Sequence, residues 1–491
     1  MKSTNPDSLL DAWNNTLRVR DREAKAPVEP SLPTEIQGSA EAAPSHMDQR
    51  AAIFDTRGCV LRTFVQIEEE ARDFEQGFLR GFRHGEVIAI QIGNHAAWPA
   101  LLLACLRSRL VALPLERTVT ERERDAALRI CCATAIVDIE KERAAIRTLV
   151  HESIEWGPNP PSLLKLTSGT TAAPRAIRFR SEQLLADCTQ ICETMEITGH
   201  DLNFAVIPLS HSYGFSNLIT PLLVQGVPMV LSRDRMPRAV LDDLARSSAT
   251  VFPGMPVFYQ AFSEMEEVPA LPELRLCISA GAPLPLEVAR KFRRKFRQPI
   301  HSFYGSSECG GICYDRDASL LEQDFVGQPM RGLDLELIDP DIPATRVRVR
   351  SAAAGDGYFP EPDEEKLGHG QFIPDDLVSV SGNGLRIVGR TSDVINVAGK
   401  KVNPAEVEAE LLRFAGVRAA VVFGRESILR NEEVAACVVA GERVRESDLL
   451  EHCRARLSGW QVPKRIFFVA EIPVNERGKV NRRELAGRFR S

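Results

Sequence analysis

With 491 residues, 44% hydrophobic and 26% charged, the chain holds more apolar sequence than one compact core requires; two or three domains are expected, and disordered or membrane-embedded classes are excluded. A net charge of −6 is too slight to draw in nucleic acid or an anionic membrane, so neither is expected as a partner. Eleven cysteines, an odd number without zinc-ligand spacing, read as reduced thiols, and Met1 is followed by polar sequence rather than a secretory signal, which implies a cytoplasmic location. The longest apolar stretch, residues 96–115, is interrupted by Arg107 and Arg109, so no membrane span is expected.

A short helix is predicted over residues 9–17, and the Pro-, Ala- and Glu-rich stretch at 22–48 reads as a loop. Short apolar runs at 87–92, 133–137, 163–166, 204–209, 227–231, 250–252 and 274–278 are separated by helix-length segments, the pattern of parallel sheets built from βαβ units. The basic run at 291–297 could suggest a nucleic-acid patch, but Val288, Phe292 and Phe296 fall on one face of a helix, leaving the charges as its solvated side. A short strand is predicted at 300–303. Strands follow at 333–338 and 346–350, then a pair at 377–380 and 385–388 around Ser381-Gly382-Asn383-Gly384, where Asn-Gly would supply the positive φ of a tight turn. A further helix is announced by Asn403 as N-cap, Pro404 at its first position and Glu406 three residues after the cap, with Val407, Leu411 and Phe414 on one face. The expected architecture is α/β: a large N-terminal domain over 1–389, made of βαβ parallel sheets plus a small β-rich subdomain, then a small α+β C-terminal domain over 390–491.

Four strings carry chemistry. Thr167-Ser168-Gly169-Thr170-Thr171-Ala172-Ala173-Pro174-Arg175 follows an apolar strand and clusters hydroxyls around a glycine, with a fixed positive charge at its end. That composition suits phosphate, although neither a Walker string nor G-x-G-x-x-G occurs. Taken alone, an ordinary polar turn fits it equally well. Tyr304-Gly305-Ser306-Ser307-Glu308 offers a flat ring for a purine, a hydroxyl for a phosphate and a hard oxygen ligand for Mg²⁺, although taken alone a strand-end turn with a solvated Glu fits it better. The third string runs from Gly389 and Arg390 through Gly399 to Pro404, preceded by Asp375-Asp376, and the fourth places Lys479 after Gly478 on a turn near the C-terminus, where a lysine taken alone is ordinarily just solvated.

In order and spacing these strings resemble the adenylate-forming superfamily of acyl- and aryl-CoA ligases, peptide-synthetase adenylation domains and beetle luciferases. The resemblance spans about residues 50–489 and includes Pro208-Leu209-Ser210-His211, Ser279-Ala280-Gly281-Ala282-Pro283, Val326-Gly327-Gln328-Pro329 and Gly357-Tyr358-Phe359. It implies that Thr167, Ser168, Gly169, Thr170 and Thr171 hold the β- and γ-phosphates of ATP, with Arg175 nearby. Gly281, Ala282 and Pro283 would line one face of the adenine and Tyr304, followed by Gly305, the other. Ser307 would contact the α-phosphate, Glu308 would hold Mg²⁺, and Asp376 and Arg390 would bind the ribose hydroxyls. Lys479 would bridge substrate carboxylate and α-phosphate, with Glu308 and Thr170 the other catalytic residues. The C-terminal domain would then rotate about Ser392 and present the Gly399 loop to a pantetheine thiol. His211, with Gly281, would border the acid pocket.

Departures from the family pattern are Ala172 for glycine, Arg175 for lysine, Ser307 for threonine, Ser392 for Asp or Lys, and Pro374-Asp375 for Thr-Gly. Amino-acid-activating relatives carry an aspartate near His211, and the stretch 210–216 has none, which favours an uncharged acyl or aryl acid. The leading expectation is an acyl- or aryl-CoA synthetase using ATP, Mg²⁺ and CoA. The alternatives are a ligase that loads the phosphopantetheine of an acyl carrier protein or another nucleophile, and a non-catalytic member that binds nucleotide or acyl ligand. The sequence sets neither the acid nor an oligomeric state.

Overall fold

The computed structural model describes residues 6–23, 50–167, 175–319, 322–397, 400–427, 431–473, 480 and 482–489. Its apolar runs become strands buried on both faces, the environment that parallel strands require. Val87–Ile90 lies between Val111–Pro114 and Ala133–Glu140, and Leu163–Leu166 extends the parallel row. Antiparallel Arg143–Thr148 closes one edge; Ala176–Phe179 and Gly357–Phe359 close the other, completing a seven-stranded sheet.

A second, eleven-stranded sheet, edged by antiparallel Val60–Thr63, runs parallel through Ala51–Asp55, Met229–Leu231, Asn203–Ala205, Val251–Gly254, Leu276–Ser279 and Ile300–Ser306. It then turns antiparallel through Gly310–Tyr314, Phe325–Pro329 and the hairpin Asp376–Ser381/Gly384–Arg390. Leu333–Leu337, Val347–Ser351, Gln371–Phe372 and Leu367–Gly368 form the small antiparallel subdomain.

Helices pack between the two large sheets and on their outer faces, and their starts follow local rules. Thr63 with Gln66, and Thr120 with Glu123, close capping boxes on Phe64–Gln76 and Glu121–Ile130. The apolar stretch read as too polar to span a membrane forms the buried helix Trp98–Arg107, whose Arg107 reaches Glu68 at 2.6 Å. Each Leu, Ile or Phe fully buried in this core contributes roughly 1.5–3 kcal/mol relative to exposure. Among the described residues no helix is long and apolar enough to cross a membrane. All eleven cysteines are free thiols.

The apolar packing of the large unit runs to Ile387, and that of the C-terminal unit begins at Ile395. In the latter, Ile395–Val397, Lys400–Val402, Val417–Ser427, Asn431–Ala440 and Arg465–Phe468 form one sheet covered by Pro404–Leu412 and Glu446–Arg454.

Several expectations are corrected. The first helix extends to Glu23, so residues 22 and 23 are helical, while the remainder of the supposed loop lies outside the described residues. The strand expected over 204–209 ends at Ala205, and the one expected over 300–303 continues to Ser306, placing Tyr304 inside a strand rather than after it. The hairpin turn takes its positive φ at Gly382 (+56°) rather than at Asn-Gly, because the pairing of Ser381 with Gly384 makes Gly382 its first central residue. Asn403 caps its helix through Ala405 N, but Glu406 does not close a box: its carboxylate receives Gln461 Nε2 at 2.9 Å.

Candidate active site

Thr167, Gly281 and Tyr304 lie at or just beyond the carboxyl ends of parallel strands, where open α/β sheets hold their ligands, while Asp376 and Arg390 come from an antiparallel hairpin. Leu163–Leu166 leads to Thr167, and the neck of the following loop is closed by Thr167, whose backbone N and Oγ1 donate to the Arg175 carbonyl at 2.8 and 3.1 Å. Ser168, Gly169, Thr170 and Thr171 lie outside the described residues, as do Ala172, Gly399 and Lys479, and the side chain of Ser392 is likewise not described.

Opposite that neck, the antiparallel turn from Ile300–Ser306 into Gly310–Tyr314 carries Ser307 and Glu308. The Arg175 guanidinium lies 4.3 Å from the centroid of the Tyr358 ring, and the Tyr358 phenol donates to Glu308 Oε1 at 3.2 Å. Glu308 keeps a face open to solvent, yet surrounding protein desolvates its carboxyl and raises its pKa above the ordinary range, against hydrogen bonds and the charge of Lys366. A divalent cation would favour the carboxylate form, and a carboxylate oxygen is a hard donor, so the chemistry of Glu308 fits Mg²⁺. Among the described residues no group of three or more His, Cys, Asp or Glu could hold a metal ion.

Tyr304 is buried and donates to Asp376 Oδ2 at 2.7 Å, while Arg390 Nε donates to Asp376 Oδ1 at 2.7 Å. Burial and the Asp376 charge hold the Tyr304 phenol well above its ordinary pKa, so it remains a donor. Two donors, one from the Tyr304 string and one from the paired hairpin strand, thereby meet on one carboxylate. Arg390 is the last residue of its strand, and its side chain belongs with the large sheet. The departure at Asp375 also finds a partner, Lys366 Nζ at 2.6 Å.

His211 caps the short helix Ser212–Gly214 by accepting Tyr213 N at 3.2 Å on Nδ1, and Ser212 Oγ donates to Ser307 Oγ at 2.9 Å. Gly281 follows Leu276–Ser279 with φ +85°, and a Cβ there would meet open space. No hydrogen bond among the described residues ties Gly281, Ala282 or Pro283 to the Asp376 cluster; what brings them near is the parallel pairing of Ser279 with Ser302. Sequence reading overlooked Ser212, Lys366 and Lys165, and quoted Tyr358 without a role. Lys165 is 5% exposed, with Nζ 4.6 Å from the Phe179 ring centroid, and burial lowers its pKa. A lysine inside the apolar run Leu163-Leu164-Lys165-Leu166 was the available signal.

Residues 39–346 match the family described as AMP-binding enzyme. The chain belongs to that family. Residues 406–479 of this AMP-binding enzyme match the family's C-terminal domain. It is 26% identical over 466 residues to feruloyl-CoA synthase of an Amycolatopsis species, covering 88% of this chain and 95% of the relative. A 3,4-dihydroxybenzoate–[aryl-carrier protein] ligase of Bacillus anthracis is 27% identical over 336 residues, 68% of this chain and 76% of that one. In fold the AMP-binding enzyme is similar to ATP-bound MatB from Rhodopseudomonas palustris, with a TM-score of 0.77 at 23% identity over 90% of this chain and 96% of that one.

Proposed function

We propose that this AMP-binding enzyme is an AMP-forming acid–thiol ligase: it joins a carboxylic acid to the α-phosphate of ATP, releases pyrophosphate, and passes the acyl group from acyl-AMP to a thiol. The observation that carries the reading is the meeting of Tyr304 and Arg390 on Asp376, beside a turn that carries Ser307 and Glu308. In this reading Asp376 and Arg390 hold the ribose, Tyr304 stacks on the adenine opposite Gly281, Ala282 and Pro283, and Ser307 donates to the α-phosphate. The loop from Thr167 to Thr171 cradles the β- and γ-phosphates, with Arg175 at its base.

A carboxylic acid with a pKa of about 4 is already ionised at neutral pH, so attack on the α-phosphorus needs no general base. The obstacle is bringing an anion onto a polyanion. Lys479 bridges the two, hydroxyl donors hold the phosphates in line, and the Glu308 carboxylate is the ligand for Mg²⁺, which supplies charge neutralisation as pyrophosphate departs. For the second step the C-terminal unit turns about the segment at Ser392, withdrawing Lys479 and presenting the Gly399 loop to the thiol.

An uncharged acyl or aryl acid is favoured over an amino acid, since 210–216 holds no aspartate to pair a charged amine. CoA is the acceptor we favour, as in the feruloyl-CoA synthase relative; the carrier-protein relative marks the competing one. The test is a panel of acyl and aryl acids scored for pyrophosphate release with and without CoA. Acid-dependent release together with CoA consumption supports the full reading. Release without CoA consumption moves the acceptor to a carrier thiol, and ATP binding without release for any acid overturns the assignment in favour of a non-catalytic member.

A further inference from the structure

We infer that Ser212 is a positioning residue for Ser307, compensating for the β-methyl group that this chain lacks at that position. The inference rests on the proposed contact between Ser307 and the α-phosphate. It begins with a difference in stiffness. A threonine has two heavy atoms on Cβ and few χ1 choices, whereas a serine hydroxyl turns among three staggered wells. A serine at position 307 therefore needs something else to keep its oxygen aimed at a phosphate.

Ser212 Oγ donates to Ser307 Oγ at 2.9 Å across 95 residues of sequence. With Ser212 as the donor, Ser307 Oγ accepts and its own O–H stays available to donate outward. Both ends of the pair stand on stiff backbone. On one side, His211 N donates to the Pro208 carbonyl at 3.0 Å and His211 Nδ1 accepts Tyr213 N at 3.2 Å. The Tyr213 phenol is buried and donates to the carbonyls of Gly254 and Ile278, each at 3.3 Å, and a Cβ on Gly214 would come within 2.1 Å of the Pro208 carbonyl oxygen. On the other side, Cys309 N donates to Ser306 Oγ at 3.2 Å and Gly355 N donates to the Glu308 carbonyl at 2.9 Å. With both backbones held, the two serine oxygens meet at a spacing set by the frames rather than by loose side chains.

The arrangement also ties the phosphate donor to the segment that carries His211, the residue read as bordering the acid pocket. Ser212 touches neither nucleotide nor acid in this reading; it acts through Ser307.

The test is a double-mutant cycle on the full chain, read both as acid-dependent pyrophosphate release and as calorimetric binding of AMP, which keeps the α-phosphate and needs no turnover. In the Ser307 background, Ser212→Ala is expected to lower kcat about fivefold and weaken AMP binding by a similar factor, the size of one lost hydrogen bond, with the KM for the acid unchanged. In a Ser307→Thr background the same change is expected to cost less than about twofold, and Ser212→Thr is expected to retain activity. Equal losses in both backgrounds indicate a purely structural role and overturn the inference, as does a silent Ser212→Ala where Ser307→Ala is damaging. If Ser307→Ala leaves both readouts intact, the assignment of Ser307 to the α-phosphate fails first.

Discussion

Asp376 divides its two oxygens between Tyr304 and Arg390, so each donor fixes a different edge of one carboxylate. Tyr304→Phe keeps the ring and removes the hydroxyl, leaving Arg390 to orient the carboxylate alone. One hydrogen bond of about 1 kcal/mol is lost, and the KM for ATP in acid-dependent pyrophosphate release is expected to rise about fivefold with kcat little altered. An unchanged KM would show that the Tyr304 hydroxyl does not orient Asp376 for the nucleotide. The motif strings named Tyr304, Asp376 and Arg390 separately. No spacing rule could have said that the tyrosine spends its hydroxyl on the aspartate, because the contact crosses 72 residues and depends on how two strands are aligned. Lys366 illustrates the same limit: its pairing with Asp375 makes sense of a local departure only after folding.

Among the elements, the parallel strands beneath the site are stapled by Asp201. Arg275 donates to both its oxygens at 2.7 Å, Thr250 Oγ1 at 2.8 Å and Thr198 N at 2.9 Å. Burial raises the Asp201 pKa, but these donors outweigh it and hold the carboxyl below its usual value. A depressed folded-state pKa contributes stability that is present above a pH of about 4, the ordinary carboxylate value, and is lost as pH falls further. With Arg275 partly in solvent, Asp201→Asn is expected to cost about 2 kcal/mol at neutral pH. Denaturant unfolding should show the gap from wild type narrowing below pH 4; a gap that does not depend on pH counts against the carboxylate as its source. A second element-level joint lies at Gly389, where φ is +154° and a Cβ would stand 2.4 Å from Asn403 Oδ1. That oxygen caps Pro404–Leu412, and Asn403 Nδ2 reaches back to the Val388 carbonyl at 2.7 Å. Gly389→Ala should displace the cap and lower stability by about 1–2 kcal/mol, seen as a lower Tm.

For the whole molecule, the proposed cycle requires the C-terminal tail to bring Lys479 to the nucleotide and then withdraw it. Three residues past that lysine, Arg482 anchors the tail helix Arg482–Arg488 to its own unit, reaching Asp393 at 2.8 Å, Glu408 at 2.7 Å and the Val422 carbonyl at 2.9 Å. Lys479→Ala is expected to slow adenylation by about 10²–10³-fold, the cost of one lost transition-state partner, while transfer to CoA from supplied acyl-AMP continues. Arg482→Ala should slow adenylation less, about tenfold, by loosening the tail. Equal loss in both half-reactions for Lys479→Ala would contradict a lysine used in only one of them. By itself the sequence determined the α/β class, the family, and the enzyme class, because apolar periodicity and short motif strings are local patterns that survive without neighbours. Only the tertiary structure decided which side chains meet: Ser212 with Ser307, Tyr358 between Arg175 and Glu308, Lys165 against Phe179, and the place of the positive φ in the 381–384 turn. Those pairings are set by strand order and register, and register is a property of the assembled sheet.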